Sequence, residues 1–160
     1  MKKTLLFFLI LIVILIYGKS SLVDANTVVA DEEQFEKEKI IIENLFKQRS
    51  KLWNNIYEKN MKTNEWIQQI KNTVTEPLLS FDIEAFEEAS KYPTDIDKVL
   101  NLEIVNIENV TYQKNDMQAK IKILWIMQGL SSKYEEEIDY IVILKKENNH
   151  WKICDYYIDK

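Results

Sequence analysis

Among the residues of this sequence that could carry out acid–base chemistry, three stand close together near its end. His150 is the only histidine and Cys154 the only cysteine, and Asp155 follows directly after the cysteine. An aspartate that is buried beside tyrosines can have a raised pKa and act as a general base. The strand pattern described below turns Asp155 toward the helices, beside Tyr140 and Tyr157. Asp155 is therefore a weak candidate for a catalytic base. The alternatives are that a tyrosine hydroxyl or a backbone N–H satisfies its carboxylate, or that it lies at an open rim.

The sequence contexts of the histidine and the cysteine favour structural roles over catalytic ones. His150 falls at a hairpin turn, where an exposed side chain is expected. Cys154 lies in an apolar strand pattern, which favours a buried, inert thiol, with an intermolecular disulfide or a redox role as the alternatives. The sequence has no cluster of His and Cys that could hold zinc and no glycine-rich loop that could cradle phosphate. We therefore predict no metal and no cofactor.

The charge balance limits the partners. The chain has a net charge of −5, and Arg49 is its only arginine. Binding to a phosphate backbone usually needs several Arg and Lys side chains on one face. The sequence therefore predicts no nucleic-acid partner.

The N-terminal segment has the pattern of an export signal. Lys2 and Lys3 precede the unbroken apolar run Leu5 to Tyr17, which has the length of a signal-peptide core and is short for a membrane-spanning helix. Residues 1–25 are predicted to be a signal peptide or an N-terminal membrane anchor. If uncleaved, the chain would contact the membrane only through residues 4–18. Residues 26–160 are then expected to form a single domain that is secreted or otherwise extracytoplasmic.

The first half of this domain has helical periodicity. Apolar residues recur in helical register from Phe35 to Tyr57, and a second helix carrying Trp66 and Ile70 is predicted to stop before Pro77. Ser80 is predicted to be the N-cap of a third helix, with Asp82 in its first turn; Pro93 is predicted to end it. These three helices would each bury one face.

The second half has the period of strands. Four strands are predicted, with a bulge in the first strand near Val105 to Ile107, a turn at Asn115–Asp116, and a two-residue hairpin turn at Asn148–Asn149. The two later connections fix the register. It places Ile123 opposite Ile138, Ile121 opposite Tyr140, Leu144 opposite Ile153, Val142 opposite Asp155, and Tyr140 opposite Tyr157.

This register divides the sheet into two faces. The face toward the helices would carry the candidate ligand-pocket residues, which are Trp125, Tyr140, Asp155 and Tyr157. The other face is more apolar than a solvated surface usually is, which favours an interface with a second copy or with an envelope protein. The alternative is that the first helix or the N-terminal segment covers it. The candidate interface residues are Leu124, Ile126, Ile141, Ile143, Tyr156 and Ile158.

The order of elements and the ending of the chain resemble one known superfamily. Three helices followed by an antiparallel meander, with "YIVILKKENN" running through a turn into "HWKICDYYI", are similar to nuclear transport factor 2-like proteins, which include the SnoaL-like proteins. The resemblance implies an α+β fold, in which three N-terminal helices pack on a curved antiparallel four-stranded sheet, a cystatin-like roll. It also implies a cone-shaped pocket between helices and sheet, and frequent dimerisation through the sheet.

Three functions remain open at this stage. The leading hypothesis is an exported non-enzymatic binding or assembly domain of the bacterial cell envelope that self-associates through its sheet. The second is a small-molecule-binding protein that uses the cone. The third is a lyase or isomerase with Asp155 as general base, which would need a second polar group beside it.

Overall fold

The computed structural model describes residues 35–57, 62–91 and 97–159, all of which belong to one compact unit, Glu32–Lys160. Three helices precede a four-stranded antiparallel sheet in this part of the chain, so the α+β class is confirmed. The predicted export segment, residues 1–25, and the predicted helix end at Pro93 lie outside the described residues. No helix in the described ranges has both the length and the apolar character needed to cross a membrane.

The helices begin and end at partly different residues from those predicted. Helix α1 spans Glu36–Asn54 and continues as a short 3-10 turn, Asn55–Tyr57, while α2 spans Thr63–Ile70 and α3 spans Leu78–Ala89. The second helix stops early because residues 73–75 instead pair with the sheet.

Helix α3 begins before Ser80, so the predicted N-cap is wrong. The carboxylate of Glu76 accepts hydrogen bonds from the backbone N–H of Ser80 (3.3 Å) and from its hydroxyl (2.7 Å). This carboxylate supplies a capping interaction for a free N–H of the first turn. Asp82 is consequently not a solvated first-turn acid but a fully buried residue.

The sheet has the predicted order β1-β2-β3-β4, with each strand antiparallel to the next. The strands are β1 Lys98–Gln113, β2 Asp116–Gln128, β3 Lys133–Glu147 and β4 His150–Ile158. Asn148 and Asn149 both have positive φ, 49° and 66°, which matches the strand twist of a two-residue hairpin. The β2–β3 register is confirmed, with Ile123 opposite Ile138 and Ile121 opposite Tyr140.

Strand β1 is irregular at the predicted position and elsewhere. Ile104 pairs with Ile123 and Asn106 with Lys122, so Val105 is the extra residue of a bulge, as predicted. A second register shift at Leu100 breaks the alternation there and leaves that side chain exposed. The turn that follows β1 is centred one residue earlier than predicted, on Lys114, which has φ 55°, and Asn115.

The β3–β4 register is correct only as far as Ile153, which lies opposite Leu144. Asp155 pairs with Ile143, so Cys154 is the extra residue of a bulge. Hydrogen bonds hold the outer edge of β4 just before this bulge, at Ile153. Ile153 N–H donates to the Thr73 carbonyl and its own carbonyl accepts from Thr75 N–H, both at 2.9 Å.

The bulge reverses the orientation of every later residue of β4. The predicted pairs Val142 with Asp155 and Tyr140 with Tyr157 are wrong; Val142 lies opposite Tyr156, and Tyr140 opposite Ile158. Because residues directly opposite each other share a face, Tyr156 and Ile158 belong to the helix-facing side. Asp155 and Tyr157 belong to the outer side.

The core lies between the helices and the inner face of the sheet, and each sheet edge is hydrogen-bonded over part of its length. Asn54 of α1 exchanges two hydrogen bonds with the backbone of Val99, and Glu43 accepts from Ile104 N–H. Covered edges cannot easily pair with a second chain. The largest fully buried side chains are Phe46, Trp66, Ile42, Ile70, Val74, Leu102, Ile104, Met117, Ile121, Ile123, Leu144 and Ile153.

Candidate functional site

The space between α1 and the sheet, predicted to be the pocket, is occupied by aromatic rings. Phe46 lies 5.3 Å from Tyr156, 6.2 Å from Trp125 and 6.5 Å from Tyr140, measured between ring centroids. Trp125 and Tyr140 are themselves 6.5 Å apart and nearly perpendicular. Edge-to-face contacts of this kind are those that aromatic side chains favour in a packed interior. The structure thus brings Trp125 and Tyr140 together, with Tyr156 in place of the predicted Tyr157.

A buried ion pair lies beside these rings. Arg49 donates from Nε to one oxygen of Asp82 (2.8 Å) and from Nη2 to the other (2.5 Å). The guanidinium also lies over the rings of Trp53 (5.7 Å) and Tyr156 (5.3 Å). Burial opposes the charge of Arg49, but hydrogen bonds to Asp82 and Tyr156 outweigh it, so its pKa is raised. Arg49 and Asp82 neutralise and hydrogen-bond each other, so the pair has no evident catalytic role.

Sequence reasoning missed this pair, although a signal for it exists. Ile42, Phe46, Arg49 and Trp53 follow one another at helical spacing, which places the only arginine on the buried stripe of α1. Asp82 stands four residues from Leu78 and from Phe86, both buried. A cation and an acid that each interrupt an apolar stripe indicate a buried partner for both.

Asp155 does not face the interior, so the geometric premise for a general base is wrong. Its Oδ1 accepts a hydrogen bond from the backbone N–H of Tyr156 (2.8 Å). The side chain is half-buried and lines a surface groove of about 420 Å³ with Pro77 and Phe81. The other residues that line this groove, Pro77, Leu78, Phe81 and Tyr156, include no second carboxylate or imidazole that would complete a catalytic pair.

His150 lies where the sequence predicts it, whereas Cys154, predicted to be buried in a regular strand, is half-buried and is the extra residue of the β4 bulge. Cys154 donates to the carbonyl of Glu76 (3.0 Å), and burial raises its pKa, so the thiol stays protonated and unreactive at neutral pH. His150 is exposed at the end of the hairpin. Within the described ranges, no group of three or more His, Cys, Asp or Glu side chains is placed to hold a metal ion.

The outer face of the sheet is less apolar than predicted. The bulge moves Tyr156 and Ile158 off this face and brings Asp155 and Tyr157 onto it. Lys122 lies 3.8 Å from the carboxylate of Asp139, the ion pair that the register predicts. The remaining interface candidates, which are half-buried, are Leu124, Ile126, Ile141 and Ile143.

A long trough runs over the other side of the molecule. Its first part, about 590 Å³, lies between α1 and the β3–β4 hairpin and is lined by Ile41, Leu45 and Trp151 together with polar groups. Its second part, about 460 Å³, lies between α1 and α2. Gln48 and Asn72 line both parts, so the two are continuous.

Seven of the sixteen side chains that line this trough are amides, and we call it the amide trough. Six of the seven have no hydrogen-bond partner among the described residues. The seventh, Asn55, is half-buried and engaged elsewhere. The amide residues are Asn44, Gln48, Asn55, Gln69, Asn72, Asn148 and Asn149.

The charged groups of the amide trough largely neutralise one another. Glu147 accepts hydrogen bonds from the Thr75 hydroxyl (2.6 Å) and from Lys152 Nζ (3.1 Å). These two hydrogen bonds lower the pKa of Glu147, which keeps it ionised and paired at neutral pH. The trough therefore presents amide, hydroxyl and imidazole groups beside the indole of Trp151 and three aliphatic side chains, with Lys51 as a further charged group.

Comparison with known proteins gives distant structural neighbours. No protein-family model matches the chain, and no curated protein matches it. Among solved structures, it is similar to an NTF2-like protein of unknown function from Prochlorococcus sp. NATL2A (14% identity, 78% of this chain and 92% of that chain, TM-score 0.47). An NTF-2 like protein of unknown function from Shewanella oneidensis MR-1 gives 12% identity, 78% and 98% coverage and a TM-score of 0.46.

The intermembrane space region of the chloroplast protein ARC6 is a third such neighbour, with 12% identity, 75% and 95% coverage and a TM-score of 0.45. These values describe a distant likeness and assign neither a family nor a function to the chain.

Proposed function

We propose that the chain is an exported, non-enzymatic binding domain of the bacterial cell envelope that takes its ligand in the amide trough. The observation that carries the proposal is a contrast between two spaces. The interior between helices and sheet is filled by Phe46, Trp125, Tyr140 and Tyr156. The trough is open, and most of its amide groups are uncommitted.

Export and family are parts of the same proposal. The basic and apolar start of the sequence supports export. The order of three helices and four strands, with a tight Asn148–Asn149 turn leading into the "HWKI" strand, supports a roll of the nuclear transport factor 2-like type. Because that superfold hosts enzymes, binders and assembly modules alike, the function rests on the site and not on the fold.

Self-association through the sheet is a second element of the proposal. The four half-buried aliphatic residues of the outer face, Leu124, Ile126, Ile141 and Ile143, support it. Leu124 and Ile126 lie opposite Glu137 and Glu135, so a partner would have to accommodate charge beside them.

A small-molecule site in the interior is the alternative that one observation favours. The indole nitrogen of Trp53 is buried and has no hydrogen-bond partner among the described residues. Buried polar atoms usually find a partner, and a small bound molecule could supply one. Native mass spectrometry of the protein purified after expression of the full chain tests this, since a retained molecule would add a discrete mass.

Cosedimentation with insoluble envelope material from a Gram-positive bacterium tests the main proposal. Wild-type protein is expected in the pellet, and the double variant Gln48→Ala, Asn72→Ala is expected in the supernatant. Both replaced side chains are exposed, so the fold should be retained. Gln68→Ala is the matched control, since Gln68 is an exposed amide of α2 outside the trough. A wild-type protein that stays in the supernatant contradicts the proposed function.

A further inference from the structure

We infer that the amide trough binds an uncharged sugar chain. This inference rests on the proposed binding function and names the chemical class of its ligand. The first argument is hydrogen-bond complementarity. A sugar hydroxyl both donates and accepts, and a side-chain amide offers two donors and one acceptor oxygen without carrying charge. Six uncommitted amides along one surface therefore suit a ligand that presents many hydroxyls.

The charge of the trough supports the same class. Glu147 is held by Thr75 and Lys152, so one carboxylate and one ammonium already neutralise each other. A charged ligand would have to exchange its hydration for contacts with neutral groups, which is unfavourable. Lys51 is the remaining charged lining residue, and it lies in the α1–α2 part.

The apolar part of the lining suits a sugar ring. Trp151 is half-buried, and its indole lies near Tyr112 (6.3 Å) and beneath Lys146 Nζ (5.6 Å), contacts that hold the ring in place. The C–H groups of a pyranose carry partial positive charge and can pack on the electron-rich face of an indole, where a sugar ring would displace the exposed Lys146 ammonium. Ile41 and Leu45 of α1 add aliphatic surface to the lining.

The backbone beside the trough disfavours the main competing ligand, an extended peptide. An extended peptide that binds through its backbone docks by adding a strand to a free sheet edge. The edge of β4 at Ile153 is already occupied, because Thr73 and Thr75 both hydrogen-bond to it at 2.9 Å. A ligand recognised by side chains and not by strand addition fits better.

The continuity of the two parts indicates a chain and not a single sugar. The α1–hairpin part encloses about 590 Å³ and the α1–α2 part about 460 Å³. Each lies within the usual range for a small-molecule site of about 300–1,000 Å³. Gln48 and Asn72, at the junction, would contact neighbouring units of one ligand.

Isothermal titration with chitotriose and with maltotriose, on protein purified after expression of the full chain, tests the inference. At least one of the two is expected to bind, with little change in affinity when salt is raised, because no net charge is neutralised. The variant Gln48→Ala, Asn72→Ala should weaken binding by about tenfold or more, the loss expected from two hydrogen-bonding groups. Gln68→Ala should bind like wild type.

The possible results separate the ligand class from the binding function. If neither trisaccharide titrates but the protein still cosediments with envelope material through the trough, the sugar assignment is overturned and the binding function stands. If a trisaccharide binds equally well to the trough variant, the site is wrong. If the protein neither titrates nor cosediments, both the inference and the proposed function fail.

Discussion

The buried ion pair between Arg49 and Asp82 allows the sharpest test of how this interior is held together. The side chain of Asp82 is completely buried and that of Arg49 is 11% exposed. Asp82→Asn removes the negative charge and nearly preserves the shape, so it leaves a desolvated guanidinium without a counter-charge. Such a change typically costs about 3–5 kcal/mol. A single domain is stable by about 5–15 kcal/mol, so the loss is a large part of the total.

Urea denaturation followed by tryptophan fluorescence measures this loss. With a slope of about 1–3 kcal/mol per molar for a domain of this size, the midpoint should fall by about 2 M. Arg49→Met should be similarly harmful, because it leaves the carboxylate of Asp82 buried and unpaired. The double variant Arg49→Met, Asp82→Leu should recover most of the wild-type midpoint, because replacing a buried pair by apolar side chains is often neutral or stabilising.

The double-mutant cycle also tests directly whether the pair is desolvated and whether its two residues are coupled. The two single changes share one interaction, so their effects should not add. An Asp82→Asn midpoint equal to wild type would mean that the pair is not desolvated as described. A double variant that loses as much as the two single variants together would mean that the residues are not coupled. Glu88→Gln is the surface control: its partner Lys91 is 2.5 Å away in the open, and the midpoint should not move.

Three further predictions follow from the hairpin, the interior and the outer face. Asn149→Val should destabilise the protein by about 1–2 kcal/mol, because a β-branched residue is strained at φ 66°; Asn149→Gly should not, as urea midpoints will show. Burial raises the pKa of Tyr140 to about 12. Below the ordinary tyrosine pKa of 10.0 this contributes stability, which is lost as pH rises toward 12. The pKa of Tyr112 is also raised to about 12, by burial and by its hydrogen bond to Glu38. Spectrophotometric titration should therefore show at least two late phenols, of which Tyr140→Phe removes one and Tyr112→Phe the other. Ile143→Lys should convert a dimer into a monomer in light scattering; a monomeric wild type would contradict sheet-mediated association.

The parts of the fold that could be predicted from the sequence are those with local causes. The alternation of Met117 to Ile123 fixes the buried face of β2, and the Asn148–Asn149 turn fixes the start of the β3–β4 register. The end of α2 has a different kind of cause. Residues 73–75 follow it with no strong stop signal, and they leave the helix because Ile153, far along the chain, offers them a strand edge.

The prediction of the candidate site divides in the same way, into residues placed by local pattern and residues placed by distant contacts. Trp125 and Tyr140 are predicted on the correct face because the β2–β3 register that orients them contains no bulge. The predicted faces are wrong for the four residues that follow the bulge at Cys154, which are Asp155, Tyr156, Tyr157 and Ile158. The amide trough could not be assembled from sequence spacing, since its walls come from α1 and the 3-10 turn after it, from α2 and the segment after it, and from the hairpin. Exposed Asn and Gln residues have no periodic signature that would connect them.

The bulge at Cys154 decides which side chain meets the only arginine. In the register without a bulge, Asp155 would face inward, toward a space that already holds the carboxylate of Asp82. Two carboxylates would then share one guanidinium in a desolvated interior, and at least one of them would have to take up a proton. With the bulge, Tyr156 faces inward instead, 5.3 Å from both Phe46 and the Arg49 guanidinium. The extra residue at Cys154 thus removes a carboxylate from the interior and completes the aromatic packing. The buried charge of Arg49 is balanced by Asp82, so no catalytic site between the helices and the sheet is needed to explain it.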